Sequence, residues 1–127
     1  MTQGLILFAH GARDPRWALP FEAVAARLRE ARPGLPLRLA FLEFMAPSLA
    51  DAAGALAEEG CTQIAVLPMF LGAGGHVRQD LPRQIDAILA ARPGLAIRLH
   101  PAIGEIASVT EAMAAAALVQ LDTPPAP

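Results

Sequence analysis

"IAVLPMFLGAGGHVRQDLPRQIDAIL", residues 64 to 89, is the stretch from which the fold is read. Its first seven residues, Ile64 to Phe70, form an apolar run, the pattern of a strand buried on both faces. Gly72, Gly74 and Gly75 crowd into the next few positions. Val77, Leu81, Ile85, Ile88 and Leu89 then recur at helical spacing. Strand, glycine turn and helix make one βα unit.

The same alternation runs along the chain. "LILFA" (Leu5 to Ala9) reads as a buried first strand. Asp14-Pro15 offers a helix N-cap with proline in the first turn, and Trp17, Phe21, Val24 and Leu28 continue that helix to Arg32. Pro33-Gly34 stops it. "LPLRLAFLE" (Leu35 to Glu43) is the second strand. Pro47 to Glu59 is the second helix, with Leu49, Ala52, Ala53 and Leu56 inward and Gly60 ending it. "LAIRL" (Leu95 to Leu99) is the fourth strand. Ile106 to Leu121 is an Ala-rich last helix, suited to covering the sheet or, through Val109, Met113 and Ala116, to packing at a subunit contact.

Four βα units predict an α/β domain, flavodoxin-like (βα)4, with a parallel four-stranded sheet and helices on both faces. The first and third strands are the most apolar, as central strands should be. The second and fourth carry Arg38 and Arg98 in mid-strand, which suits edges. The expected order is 2-1-3-4. Residues 1–121 read as one domain and 122–127, ending in "TPPAP", as a disordered tail. "ARPGLPLRL" (Ala31 to Leu39) reappears as "ARPGLAIRL" (Ala91 to Leu99), which shared helix-to-strand turn chemistry explains.

Composition narrows the function. The chain has 127 residues, 54% of them hydrophobic, enough for one core. Its ten basic residues, all Arg, face twelve acidic ones, for a formal charge of -2. No basic run supports nucleic-acid binding. Cys61 is the one cysteine, so no internal disulfide forms, and a cytoplasmic setting is the simplest reading. Neither a signal peptide nor a membrane span is read in the sequence.

In an open parallel sheet, ligands bind beyond the carboxyl ends of the strands, where strand order reverses. His10 follows the first strand, Glu43 ends the second, His76 follows the third and His100 follows the fourth. A single histidine at a strand end is commonly packing. All three of the chain's histidines on one rim, with a carboxylate, form a constellation. Imidazole suits first-row divalent metals such as Co2+, Ni2+, Fe2+ and Zn2+. Two or three of His10, His76 and His100, together with Glu43, would make an open metal site. No permanently bound cofactor is expected.

The glycine turn is no nucleotide loop. A GxGxxG pattern would need glycine where Val77 stands, and no Walker GKS or GKT follows. Gly72, Gly74 and Gly75 instead permit close approach by a bulky ligand. Arg13, Arg16 and Arg78 flank the two histidines and could clamp carboxylates. Trp17 is suited to core packing more than to stacking on a ligand. Histidine-phosphatase chemistry wants Arg just before the histidine, and Ala9 is there instead.

"AHGARDPR" (Ala9 to Arg16), "FLEFMAPSL" (Phe41 to Leu49) and "PMFLGAGGHVRQDLP" (Pro68 to Pro82) together resemble the class II chelatases of the CbiX/SirB type, sirohydrochlorin cobalt- and iron-chelatases. "PAIG" (Pro101 to Gly104) fits the segment after the fourth strand. The resemblance implies a nucleotide-independent lyase that inserts a divalent metal into a modified tetrapyrrole with release of two protons. It carries His10 and His76 over as active-site histidines and Glu43 as the acidic position. It implies the short form of the family, which pairs as a homodimer. The family usually has Ser where this chain has Ala12, and His100 has no counterpart that carries over. The alternative is a metal or tetrapyrrole carrier that binds without catalysing insertion.

Overall fold

The computed structural model describes residues 2–72 and 74–126, and of His76 the backbone alone. Four strands, β1 (Thr2–Ala9), β2 (Leu37–Phe41), β3 (Cys61–Pro68) and β4 (Ala96–Leu99), form one sheet. Their order is β2-β1-β3-β4 and every pairing is parallel. This is the expected α/β topology. Four α-helices connect and follow the strands: α1 (Leu19–Ala31), α2 (Leu49–Glu58), α3 (Gly75–Ala91) and α4 (Ala107–Leu121). Short 3-10 turns precede α1 (Pro15–Ala18) and α4 (Ile103–Glu105).

The strand period of two divides the core between the sheet faces. Ile6, Phe8, Ile64 and Val66 pack with Leu49, Ala52, Ala53 and Leu56 of α2 and with Leu81, Ile85 and Ile88 of α3. Leu7 and Leu37 pack on the other face with Ala25 of α1, against half-buried Leu5, Leu28, Leu39 and Leu67. Trp17 joins the core, its ring 4.8 Å from that of Phe21, beside Ala9, Ala18 and Phe41.

Element limits depart from expectation where capping decides them. The first helix does not run unbroken from Asp14. Pro20 has no N–H to give to the carbonyl of Arg16, and the N–H of Leu19 takes that carbonyl instead. That i-to-i−3 bond makes the first turn a 3-10 turn, and α1 starts afresh with Pro20 in its first turn. The second helix begins at Leu49 rather than Pro47, because Ser48 Oγ accepts the N–H of Asp51 at 3.1 Å as an N-cap.

Both copies of the repeated segment turn alike. Arg32 N–H donates to Leu28 O and Leu35 N–H to Arg32 O. Arg92 N–H donates to Ile88 O and Leu95 N–H to Arg92 O.

The last helix does not cover the sheet. No residue of α4 is buried and none belongs to a core cluster. Over Ala107–Leu121 it carries one charge, Glu111. Among the described residues no helix is long and apolar enough to cross a membrane.

Candidate functional site

Because all four strands are parallel, their carboxyl ends share one rim of the sheet. His10 is the first residue past β1, Glu43 lies in the bend after β2, and His100 follows β4 directly. Gly74 is the N-cap of α3, and His76 lies in that helix's first turn. The four candidate positions therefore sit at one end of the domain. The side chain of His76 lies outside the described residues, and so does Ala73.

Main-chain bonds tie the β1 and β2 ends together. Leu42 N–H donates to Ala9 O at 2.9 Å, and Glu43 N–H donates to His10 O at 3.0 Å. The ladder thus outlasts β2 by two residues while the chain bends away. Met45 N–H closes onto Glu43 O at 2.8 Å, and Phe44 takes a φ of 65°. A bulky residue seldom adopts that left-handed conformation. Glu43 is therefore held in a bend beside His10 instead of ending a strand. Gly11, at a φ of 89°, permits this approach: a Cβ there would overlap the Glu43 carbonyl.

The His10 side chain is exposed and rests on an aromatic platform. Its ring centroid lies 4.2 Å from that of Phe70, with 31° between the planes. Phe70 is buried and meets Phe8 edge-on at 6.0 Å. The platform is thus rooted in the core, and one face of the imidazole is supported while the side chain keeps access to solvent. The segment after β4 is locked to the same place: Gly104 N–H donates to Phe70 O at 2.9 Å, and a Cβ at Gly104 would overlap the Leu71 backbone.

The three arginines differ in what they hold. The Arg13 guanidinium lies over the exposed Phe44 ring, 5.0 Å from its centroid. Arg16 forks onto Asp14, with Nη2 to Oδ2 at 2.8 Å and Nε to Oδ1 at 3.2 Å. That side-chain pairing, with a backbone bond from Arg16 N–H, holds the Asp14 carboxyl below the usual carboxylate range. Arg78 Nη2 donates to Glu105 Oε1 at 3.1 Å.

Among the described residues, no three His, Cys, Asp or Glu side chains gather as a metal-holding group, so His10, Glu43 and His100 do not form one. His100 lines a separate cavity with Phe70, Arg78 and Glu105. No local pattern marks Phe70, Phe44 or Glu105 as a site residue. Phe70 and Phe44 stand inside the quoted segments, and Glu105 follows "PAIG" directly, but only contacts made in the fold single them out.

The family model for CbiX matches residues 4–118. A sirohydrochlorin cobaltochelatase of Sulfurisphaera tokodaii is 30% identical over 88 residues, covering 67% of this chain and 69% of that protein. Across relatives of that name the match spans about two thirds of their length or less. A crystal structure of a putative cobalamin biosynthesis CbiX protein from Marinobacter aquaeolei superposes with a TM-score of 0.84 at 32% identity, covering 94% of this chain and 98% of that one. SirB from Bacillus subtilis, solved with Fe3+, superposes with a TM-score of 0.77 at 26% identity, covering 98% of this chain and 49% of that one. The present chain thus spans about half the length of SirB.

Proposed function

The chain belongs to the CbiX family, and from that premise we propose that it is a sirohydrochlorin chelatase. It inserts Co2+ or Fe2+, with Ni2+ also suited to the ligands, into the tetrapyrrole without a nucleotide. The observation that carries this reading is His10: an exposed imidazole laid on a buried aromatic ring and tied through its backbone to Glu43. Its neighbour on the rim is the glycine turn that opens α3 and bears His76.

The metal is a substrate, and the chemistry to be supplied is ligand exchange and proton removal. The free macrocycle carries two pyrrole N–H protons. As the divalent ion enters, four ring nitrogens bind it and both protons leave. A neutral imidazole offers a lone pair to the ion or to a proton. His10 and His76 hold the incoming metal and accept protons, with Glu43 as a further ligand or proton acceptor. Gly72, Gly74 and Gly75 let the flat ring approach the backbone. Arg13 and Arg78 meet the ring's peripheral carboxylates, and Arg16 joins them by releasing Asp14. One domain, residues 1–121, performs the reaction, and residues 122–127 are a tail with no part in it.

A second copy of the chain completes the groove. A ring-sized ligand needs a deep pocket, and one sheet rim offers a shallow one. Two observations support a homodimer. The α4 helix exposes Leu118, Val119 and Leu121 at 63%, 60% and 79%, and SirB carries about twice this chain's length. The single, buried Cys61 suits a reducing compartment, and we place the protein in the cytoplasm.

The test is metallation of free sirohydrochlorin by the purified chain with Co2+ and no nucleotide, followed by the absorbance change of the ring. His10→Ala and His76→Ala should each lower the rate at least about 100-fold, with the far-ultraviolet circular dichroism unchanged. Near-normal turnover in both variants would remove the proposed roles. Ring binding without metallation by the native chain would make it a carrier.

A further inference from the structure

A cavity of about 200 Å3 opens at the β4 corner of the rim. Buried Phe70 and Leu81, with Leu99, supply its apolar wall, and Arg78, His100 and Glu105 supply its polar groups. It stands one aromatic ring from the His10 imidazole, since Phe70 lines it and also carries His10 at 4.2 Å. Its far wall is fixed to β3 by the bond from His100 N–H to Val66 O and to the turn after β3 by that from Gly104 N–H to Phe70 O, each 2.9 Å.

Size and chemistry limit the occupant. Pockets that hold a whole small molecule run from about 300 Å3 upward, so this one takes a substituent. The wall suits methylene groups. The polar groups suit a carboxylate, and one is already present: Glu105 accepts from Arg78 at 3.1 Å. The His100 side chain is half-buried and has no hydrogen bond among the described residues. Among the described residues it belongs to no three-residue metal group.

We infer that this cavity is a subsite for one short carboxylate arm of the tetrapyrrole. The arm's methylenes lie against Phe70, Leu81 and Leu99. His100 donates to its carboxylate, and Arg78 turns to it from Glu105. His100 is then a specificity residue for the ring and not a ligand of the metal, and Glu105 is an internal competitor that the arm displaces. The assignment rests on the chelatase reading for the identity of the ring.

Ring binding can be measured without turnover, by absorbance titration of metal-free sirohydrochlorin onto the full chain. His100→Ala should weaken binding about 10-fold, the loss of one hydrogen bond to a charged group. His100→Gln, which keeps a donor, should recover most of it. Glu105→Gln should tighten binding about threefold, an effect opposite in sign to structural damage. The KM for Co2+ should not change in any of the three. With the ring's carboxylates esterified, native and His100→Ala chains should bind alike. Equal ring affinity in all variants would overturn the subsite. So would a raised KM for Co2+ with unaltered ring affinity, which would return His100 to the metal. A native chain that binds the ring but never metallates it would sink the chelatase reading alone.

Discussion

At Gly11 the backbone turns with a φ of 89°, and any side chain there would run into the carbonyl of Glu43. Two effects act together. An L-residue in that conformation is strained, and the bend after β2 would have to move away. Gly11→Ala should cost about 1–3 kcal/mol of stability, read from the urea unfolding midpoint. It should also lower metallation more than that loss of folded protein accounts for, because the bend that holds Glu43 beside His10 packs against Gly11. Gly104 shares only the second effect: an added Cβ there would overlap the Leu71 backbone. Gly72, Gly74 and Gly75 meet nothing within 4 Å of an added Cβ, so whatever they leave room for lies outside the chain's own described atoms.

At the scale of elements, caps decide where helices start and periodicity decides what they bury. The apolar stripes of α2 and α3 read from the sequence are the residues that pack on the sheet. Their starts needed the side-chain chemistry of single residues. Ser48→Ala removes the N-cap of α2 and should destabilise the protein by about 1 kcal/mol, measured as a shift of the unfolding midpoint without change in its slope. The arginines illustrate the reverse case. Arg13, Arg16 and Arg78 were legible as cations on the rim, but their partners Phe44, Asp14 and Glu105 were not. An exposed guanidinium chooses among neighbours that only the folded chain assembles.

At the scale of the molecule, the sheet is complete and α4 is not used by it. An apolar helix with one charge and no buried residue has unspent hydrophobic area. If that area meets a second copy, Leu118→Glu combined with Val119→Glu should shift the chain from dimer to monomer in sedimentation velocity at micromolar concentration. The monomer should keep native circular dichroism, because α4 contributes nothing to the core clusters. A chain that is already monomeric at that concentration would remove the dimer from the mechanism.

By itself the sequence determined the elements, the parallel order 2-1-3-4 and the rim on which His10, Glu43, His76 and His100 fall. Those features follow from local patterns: apolar runs, helical spacing, and the rule that parallel strands end on one side. Only the tertiary structure decided that Glu43 is bonded through its backbone to His10, that Phe70 carries the His10 ring, and that His100 faces a cavity of its own. It also decided that α4 stands off the sheet. The physical reason is range. Periodicity states which face of an element is apolar, whereas contacts between residues tens of positions apart depend on how those faces close against one another.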